Sequence, residues 1–73
     1  MPRRPCDELD RIIGANIRRK RVARGMTQAA LGSCLSVTPQ QVQKYERGES
    51  SIAAVNLVRL AVMVNCQLEE FLR

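Results

Sequence analysis

Apolar residues recur every three to four positions along most of the chain, a spacing typical of α-helices. Leu9, Ile13 and Ile17 form the first such stripe, and Asp7 precedes it as a candidate N-cap. Basic residues crowd the end of this segment and a glycine follows, as is common at a helix C-terminus. We therefore expect a first helix over residues 7–24.

A second, shorter helix is predicted from Thr27, a candidate N-cap, to about Leu35. Leu31 and Leu35 give it an apolar face, and the small residues between them permit close packing. Only Ser36 and Val37 separate this helix from the next segment, so the connection must be a tight turn.

The third helix has the clearest start signal. Thr38 is a candidate N-cap, Pro39 takes the first helical position, and Gln41 completes a T-x-x-Q capping box. Gly48 supplies a stop, which places the helix at about residues 38–47. One side of this helix is apolar, and the other carries Gln40, Gln43, Lys44 and Arg47.

Two more helices are predicted after a polar linker. The fourth ends near Val64, and its local chemistry favours Ser51 as the N-cap. Asn65 suits the left-handed position that follows a helix. A short final helix then covers residues 67–72.

The predicted architecture is all-α, a compact five-helix bundle formed by residues 7–73 and preceded by a flexible basic arm at residues 1–6. A domain of this size buries only about 60% of its unfolded surface. Association with a second copy would add stability. The predicted dimer surface consists of apolar residues from the last two helices: Val58, Val62, Leu68, Phe71 and Leu72.

Basic residues are concentrated in the first two-thirds of the chain. The whole sequence has 12 Lys and Arg against 7 Asp and Glu, a net charge of +5. Residues 1–48 hold ten basic and four acidic side chains (+6), whereas residues 49–73 hold two and three (−1). A basic half suits a phosphate backbone, although a solvated basic surface is an equal alternative on charge alone.

The residues needed for most enzyme chemistry are missing. The sequence has no histidine, and its four glycines form no phosphate-binding loop. Its three cysteines, Cys6, Cys34 and Cys66, are too far apart for a zinc motif. We therefore expect no enzyme activity, no metal, no cofactor and no small-molecule ligand.

The cysteines and the apolar runs also bear on location. We interpret the cysteines as reduced, with Cys34 and Cys66 as small apolar side chains in the core. Reduced cysteines indicate a cytoplasmic protein. No signal peptide is apparent at the start, and no run approaches the roughly 20 apolar residues of a membrane span.

The central stretch resembles the helix-turn-helix of the Cro/repressor (XRE-like) family of bacterial and phage regulators, and the resemblance extends from about Ile13 to Phe71. It implies a lambda-repressor-like DNA-binding domain. Two positions depart from the family pattern: Ser36 replaces the usual turn glycine, at a cost of about 1 kcal/mol, and Ala53 replaces the serine that usually caps the fourth helix. The matching residues are Gln28, Ala29, Leu31, Gly32, Leu35, Val37, Val42, Tyr45, Glu46, Arg47 and Gly48.

The resemblance implies an ion pair between Arg21 and Glu46 that locks the first helix to the third. The alternative is that Arg21 is one more surface base. Breaking such a pair from one side costs roughly 3–5 kcal/mol if the pair is buried.

The resemblance also implies that the third helix enters the DNA major groove. The amide of Gln40 can bond adenine, and Lys44 can donate to guanine. Gln43, Thr38 and Pro39 complete the candidate base-reading set. The alternative for the glutamines is a solvated helix face. Candidate contacts to the DNA backbone are Gln28, Arg18, Arg24 and Arg47.

Three functions remain open at this point. The first is a transcriptional regulator that binds double-stranded DNA as a homodimer on a palindromic operator. The second is a protein-interaction module, such as an antitoxin, that uses its apolar fourth helix and tail. The third is a monomeric domain from a longer regulator. DNA binding that is lost on changing Gln40 and Lys44 distinguishes the first from the second.

Overall fold

A computed structural model describes residues 8–73, and the part it describes is entirely helical. The predicted all-α class is therefore confirmed for these residues, whereas the predicted arm at residues 1–6 and the proposed cap Asp7 lie outside them. The elements are α1 (Glu8–Ala23), α2 (Gln28–Leu35), α3 (Pro39–Glu46), α4 (Ala54–Met63) and a 3-10 helix (Leu68–Phe71).

The prediction of five α-helices was wrong in its last member. Residues 68–71 form a four-residue 3-10 helix, so residues 8–73 contain four α-helices. A segment this short closes only one turn, and the tighter 3-10 geometry is common in such pieces. None of the helices in this part of the chain has the length and apolar character needed to cross a membrane.

The helix-turn-helix is fixed by two threonine caps and a left-handed turn. The hydroxyl of Thr27 accepts a hydrogen bond from the Ala30 amide at 3.0 Å, and that of Thr38 accepts one from the Gln41 amide at 3.1 Å. Between the two helices Ser36 has φ 59° and ψ 40°. The turn therefore keeps the left-handed conformation that glycine usually supplies.

The start of α4 differs from what local sequence favours. Ala53, not Ser51, is the N-cap residue, and it makes no side-chain capping bond. The hydroxyl of Ser51 instead donates to the Asp10 carboxylate at 2.7 Å. Ser51 therefore ties the α3–α4 linker to α1.

Phe71 is fully buried, although the sequence analysis assigned it to the dimer surface. That assignment was wrong: the 3-10 helix turns the ring into the core, where no second copy can contact it. The other side chains with less than 2% exposure are aliphatic and come from the four α-helices: Ile17, Leu31, Val42 and Leu60.

The chain after α4 is held against α1 by a buried asparagine. Asn16 is 6% exposed, and its amide donates to the backbone carbonyls of Phe71 and Arg73, both at 3.0 Å. Its own carbonyl accepts a hydrogen bond from Arg19 at 2.7 Å. Hydrophobic periodicity gives no signal for this contact, which spans 55 residues of sequence.

A second contact to the same segment is electrostatic. Glu70 accepts hydrogen bonds from the backbone N–H of Gln67 at 2.9 Å and from the Lys20 ammonium at 3.0 Å. These two bonds, in that order of importance, lower the pKa of Glu70. The Lys20 ammonium also lies 5.6 Å from the centre of the Phe71 ring.

Candidate nucleic-acid interface

Helix α3 is buried on one side and open on the other. Val42, Tyr45 and Glu46 are its buried residues. Successive residues of an α-helix are about 100° apart, so the opposite side is the one formed by the exposed residues Gln40, Gln43, Lys44 and Arg47. We call these four residues the outward face of α3.

The four side chains of the outward face are available to a partner. These side chains make no hydrogen bond or ion pair with any other residue in the range 8–73. Thr38 and Pro39, also predicted to contact DNA, are exposed at the start of the same helix. The structure thus brings all five predicted base-reading residues to one helix.

A glycine in α1 allows α3 to approach closely. A Cβ atom placed on Gly14 would overlap the backbone oxygen of Tyr45 and lie 3.0 Å from that of Glu46. Helix propensity alone disfavours a glycine inside α1. In the structure Gly14 is the contact point that sets the depth at which α3 lies against α1.

The ion pair between Arg21 and Glu46 is present. Arg21 Nε donates to Glu46 Oε2 at 2.6 Å, and Arg21 Nη2 donates to Glu46 Oε1 at 3.1 Å. The side chains are only 12% and 3% exposed. A third donor of Arg21, Nη1, bonds the carbonyl of Met26 at 2.7 Å, so one guanidinium joins α1, the α1–α2 connection and α3.

Gln28, which was predicted to contact the DNA backbone, has a polar partner inside the protein. Its Nε2 donates to Glu46 Oε1 at 3.1 Å, and the residue is partly buried. One amide hydrogen is therefore used inside the protein, between the first residue of α2 and the last residue of α3. Spacing in the sequence gives no signal for this contact.

The arginines predicted to contact the DNA backbone lie in two different environments. Arg18 and Arg47 are exposed and have no polar partner among the described residues. Arg24 donates through Nη2 to the carbonyl of Met63 at 3.0 Å. This bond satisfies a carbonyl in the last turn of α4, so Arg24 also has a structural contact.

Apolar side chains remain exposed on α4 and after it. Val62 is 77% exposed, Val58 48%, Leu72 42% and Leu68 38%, and Val55 on α4 is exposed as well. We call these five residues the apolar surface.

The two described cysteines differ in environment. Cys34 is exposed, so its interpretation as a core side chain was wrong. Cys66 is partly buried and packs against the core as predicted.

Sequence comparison identifies relatives across most of the chain. The family model described as Helix-turn-helix matches residues 17–71. The uncharacterized HTH-type transcriptional regulator y4aM of Sinorhizobium fredii is 41% identical over 59 residues, which are 81% of this chain and 41% of that protein. An uncharacterized HTH-type transcriptional regulator of Sinorhizobium medicae is 36% identical over 63 residues, 86% of this chain and 45% of that protein. The chain thus spans less than half the length of these relatives.

Solved structures share the fold. The P22 c2 repressor, solved with a synthetic operator, superimposes with a TM-score of 0.76 at 30% identity, over 84% of this chain and 92% of the repressor. The restriction-modification controller protein C.AhdI of Aeromonas hydrophila gives a TM-score of 0.75 at 26% identity, over 85% of this chain and 94% of the controller.

One structural neighbour is an enzyme. Hydroxypropylphosphonic acid epoxidase of S. wedmorenis gives a TM-score of 0.80 at 24% identity, over 89% of this chain and 35% of the epoxidase. At that identity the likeness concerns the fold alone.

The match over residues 17–71, the caps and the buried Arg21–Glu46 pair all agree: this chain belongs to the helix-turn-helix family of the Cro/repressor (XRE-like) type.

Proposed function

We propose that the chain is a sequence-specific DNA-binding transcriptional regulator that inserts α3 into the major groove. The observation that carries this proposal is the outward face of α3, whose four polar side chains are exposed and unpaired in the described structure. A major groove is wide enough for an α-helix and offers donors and acceptors that such side chains match.

The surroundings of the outward face support the same proposal. Arg18 and Arg47 are exposed bases that can neutralise phosphates on either side of the groove. The carboxylate of Glu46 faces inward and is matched by Arg21, so no acidic side chain of α3 opposes a phosphate.

The apolar surface supports a homodimer. One recognition helix contacts only a few base pairs, and a two-fold symmetric dimer doubles the site, with half-sites about 34–36 Å apart. Val58 and Val62 on α4, with Leu68 and Leu72 after it, supply exposed apolar side chains for the centre of such an interface. We therefore propose a palindromic operator.

The same surface favours a second candidate. An apolar surface of this kind also suits a different protein, as in an antitoxin-like interaction module. The epoxidase neighbour illustrates that this fold also occurs within an enzyme chain. In this alternative the outward face of α3 is a solvated surface and DNA binding is weak.

Selection from random-sequence DNA followed by sequencing, at a fixed salt concentration of about 0.15 M, distinguishes a DNA-binding regulator from a protein-interaction module. A regulator is expected to recover one two-fold symmetric motif. A variant with both Gln40→Ala and Lys44→Ala is the matched control: it should keep its helical content and lose the motif. Recovery of no motif, with only salt-sensitive binding near Kd ~10⁻⁴–10⁻⁶ M, would contradict the proposal and favour the interaction module.

A further inference from the structure

The outward face of α3 carries few kinds of hydrogen-bonding group, and these groups match particular bases. It offers two amides, one ammonium and one guanidinium, and it lacks any carboxylate. We infer that each operator half-site contains an A·T pair read by Gln40 and, one or two base-pair steps further along α3, a G·C pair read by Lys44. This inference rests on the proposed function.

Gln40 lies in the first turn of α3, the end that meets base edges in this motif. Its side chain is exposed and is not held by any other described residue. A carboxamide carries a donor and an acceptor side by side. Adenine offers the complementary pair, the N6 donor and the N7 acceptor, in the major groove.

Lys44 follows one turn later on the same face. Four residues rotate an α-helix by about 40° beyond a full turn and advance it by about 6 Å. Base pairs are stacked about 3.4 Å apart, so the two side chains face base pairs one or two steps apart. An ammonium can only donate, and guanine presents two adjacent acceptors, O6 and N7.

A further feature limits which bases the outward face of α3 can contact. The usual partner of the cytosine amino group is a carboxylate, and the only carboxylate of α3, Glu46, is buried and bonded by Arg21 and Gln28.

The inference is tested by replacing the amide of Gln40 with a cationic donor and the ammonium of Lys44 with an amide. Gln40→Arg should change the selected base at its position from adenine to guanine, and Lys44→Gln should change the other position from guanine to adenine. Each variant should prefer its new base over the original by roughly 5- to 150-fold in Kd. Selection is performed on the whole chain, and each recovered DNA is then titrated at one salt concentration.

Gln41→Arg is the matched control for charge. It adds the same guanidinium to α3 but about 100° away from Gln40, on the partly buried side. We expect it to alter binding to all DNA sequences alike and to leave the selected motif unchanged. Circular dichroism on each variant verifies that the helices are intact.

The outcomes separate this inference from the proposed function. If the unaltered chain selects no motif, the proposed function itself fails. If it selects a motif that Gln40→Arg and Lys44→Gln both leave unchanged, the chain binds DNA specifically and the assignment of bases is overturned. A motif without an adenine and a guanine within two steps of each other would also overturn the assignment.

Discussion

Gly14 lies inside α1, where helix propensity favours alanine over glycine by about 1 kcal/mol. The structure reverses that expectation. A Cβ atom at this position would overlap the carbonyl oxygen of Tyr45, which belongs to the backbone of α3 and cannot move independently. The cost of the helix-weakening glycine is offset by the close approach of two helices.

We predict that Gly14→Ala destabilises the protein by about 1–3 kcal/mol, the usual range for overpacking, although propensity alone predicts a gain of about 0.5–1 kcal/mol. Urea unfolding followed by circular dichroism measures the difference in the free energy of unfolding. Ala15→Gly, at an exposed neighbouring position, is the control and should cost about 1 kcal/mol. A stabilised Gly14→Ala variant would contradict the close contact.

At the scale of elements, α3 is positioned by the ion pair that joins it to α1. Glu46 receives three hydrogen bonds, two from Arg21 and one from Gln28. Its side chain is 3% exposed, so solvent cannot replace a lost partner. The orientation of the outward face therefore depends on residues that lie on the opposite side of the helix.

We predict that Arg21→Met destabilises the protein by about 3–5 kcal/mol, because it leaves the Glu46 carboxylate buried with a single donor. That amount is comparable to the whole stability of a small domain. Changing both residues, Arg21→Met with Glu46→Leu, should restore part of the loss, because no charge is then left unpaired. Thermal unfolding of the two single variants and the double variant measures the coupling.

Arg11→Met is the control for this experiment. Arg11 and Glu8 form an ion pair at 3.4 Å, but their side chains are 64% and 77% exposed. Breaking an exposed pair should change stability by less than about 1 kcal/mol. Equal losses for Arg11→Met and Arg21→Met would show that burial of the Arg21–Glu46 pair is not what makes it important.

At the scale of the whole molecule, the outward face of α3 and the apolar surface are built from separate residues. The outward face draws on α3 and its C-cap residue Arg47, whereas the apolar surface draws on α4 and the residues after it. In the proposed regulator, DNA and a second copy therefore contact different residues.

We predict that Val62→Asp weakens self-association at least tenfold and leaves the fold intact, because Val62 is 77% exposed and a charge there opposes apolar contact. Sedimentation equilibrium over a concentration series measures the dissociation constant. Val22→Asp, which changes a 53% exposed valine on α1, is the matched control and should have little effect. A monomeric unaltered chain at all concentrations would contradict the homodimer.

Local sequence alone determined most of the elements. The caps at Thr27 and Thr38 form as predicted, because a threonine hydroxyl satisfies an amide only three residues away. Asn65 adopts the left-handed conformation with φ 53°, and α3 ends before Gly48 with φ 71°. The polar side of α3, with Gln40, Gln43 and Lys44, follows from its apolar side through helical periodicity. The assignment of base-reading residues came from the family resemblance and stays a prediction.

Contacts between distant residues were decided by tertiary structure. Phe71 is drawn into the core and its carbonyl is bonded by Asn16, although its sequence neighbours Leu68 and Leu72 remain exposed. Gln28 bonds Glu46, a contact between α2 and α3 that spacing in the sequence does not indicate. Periodicity specifies which side of a helix is apolar, but only packing specifies which helix covers it, and buried polar groups then find whichever partners that packing brings within reach.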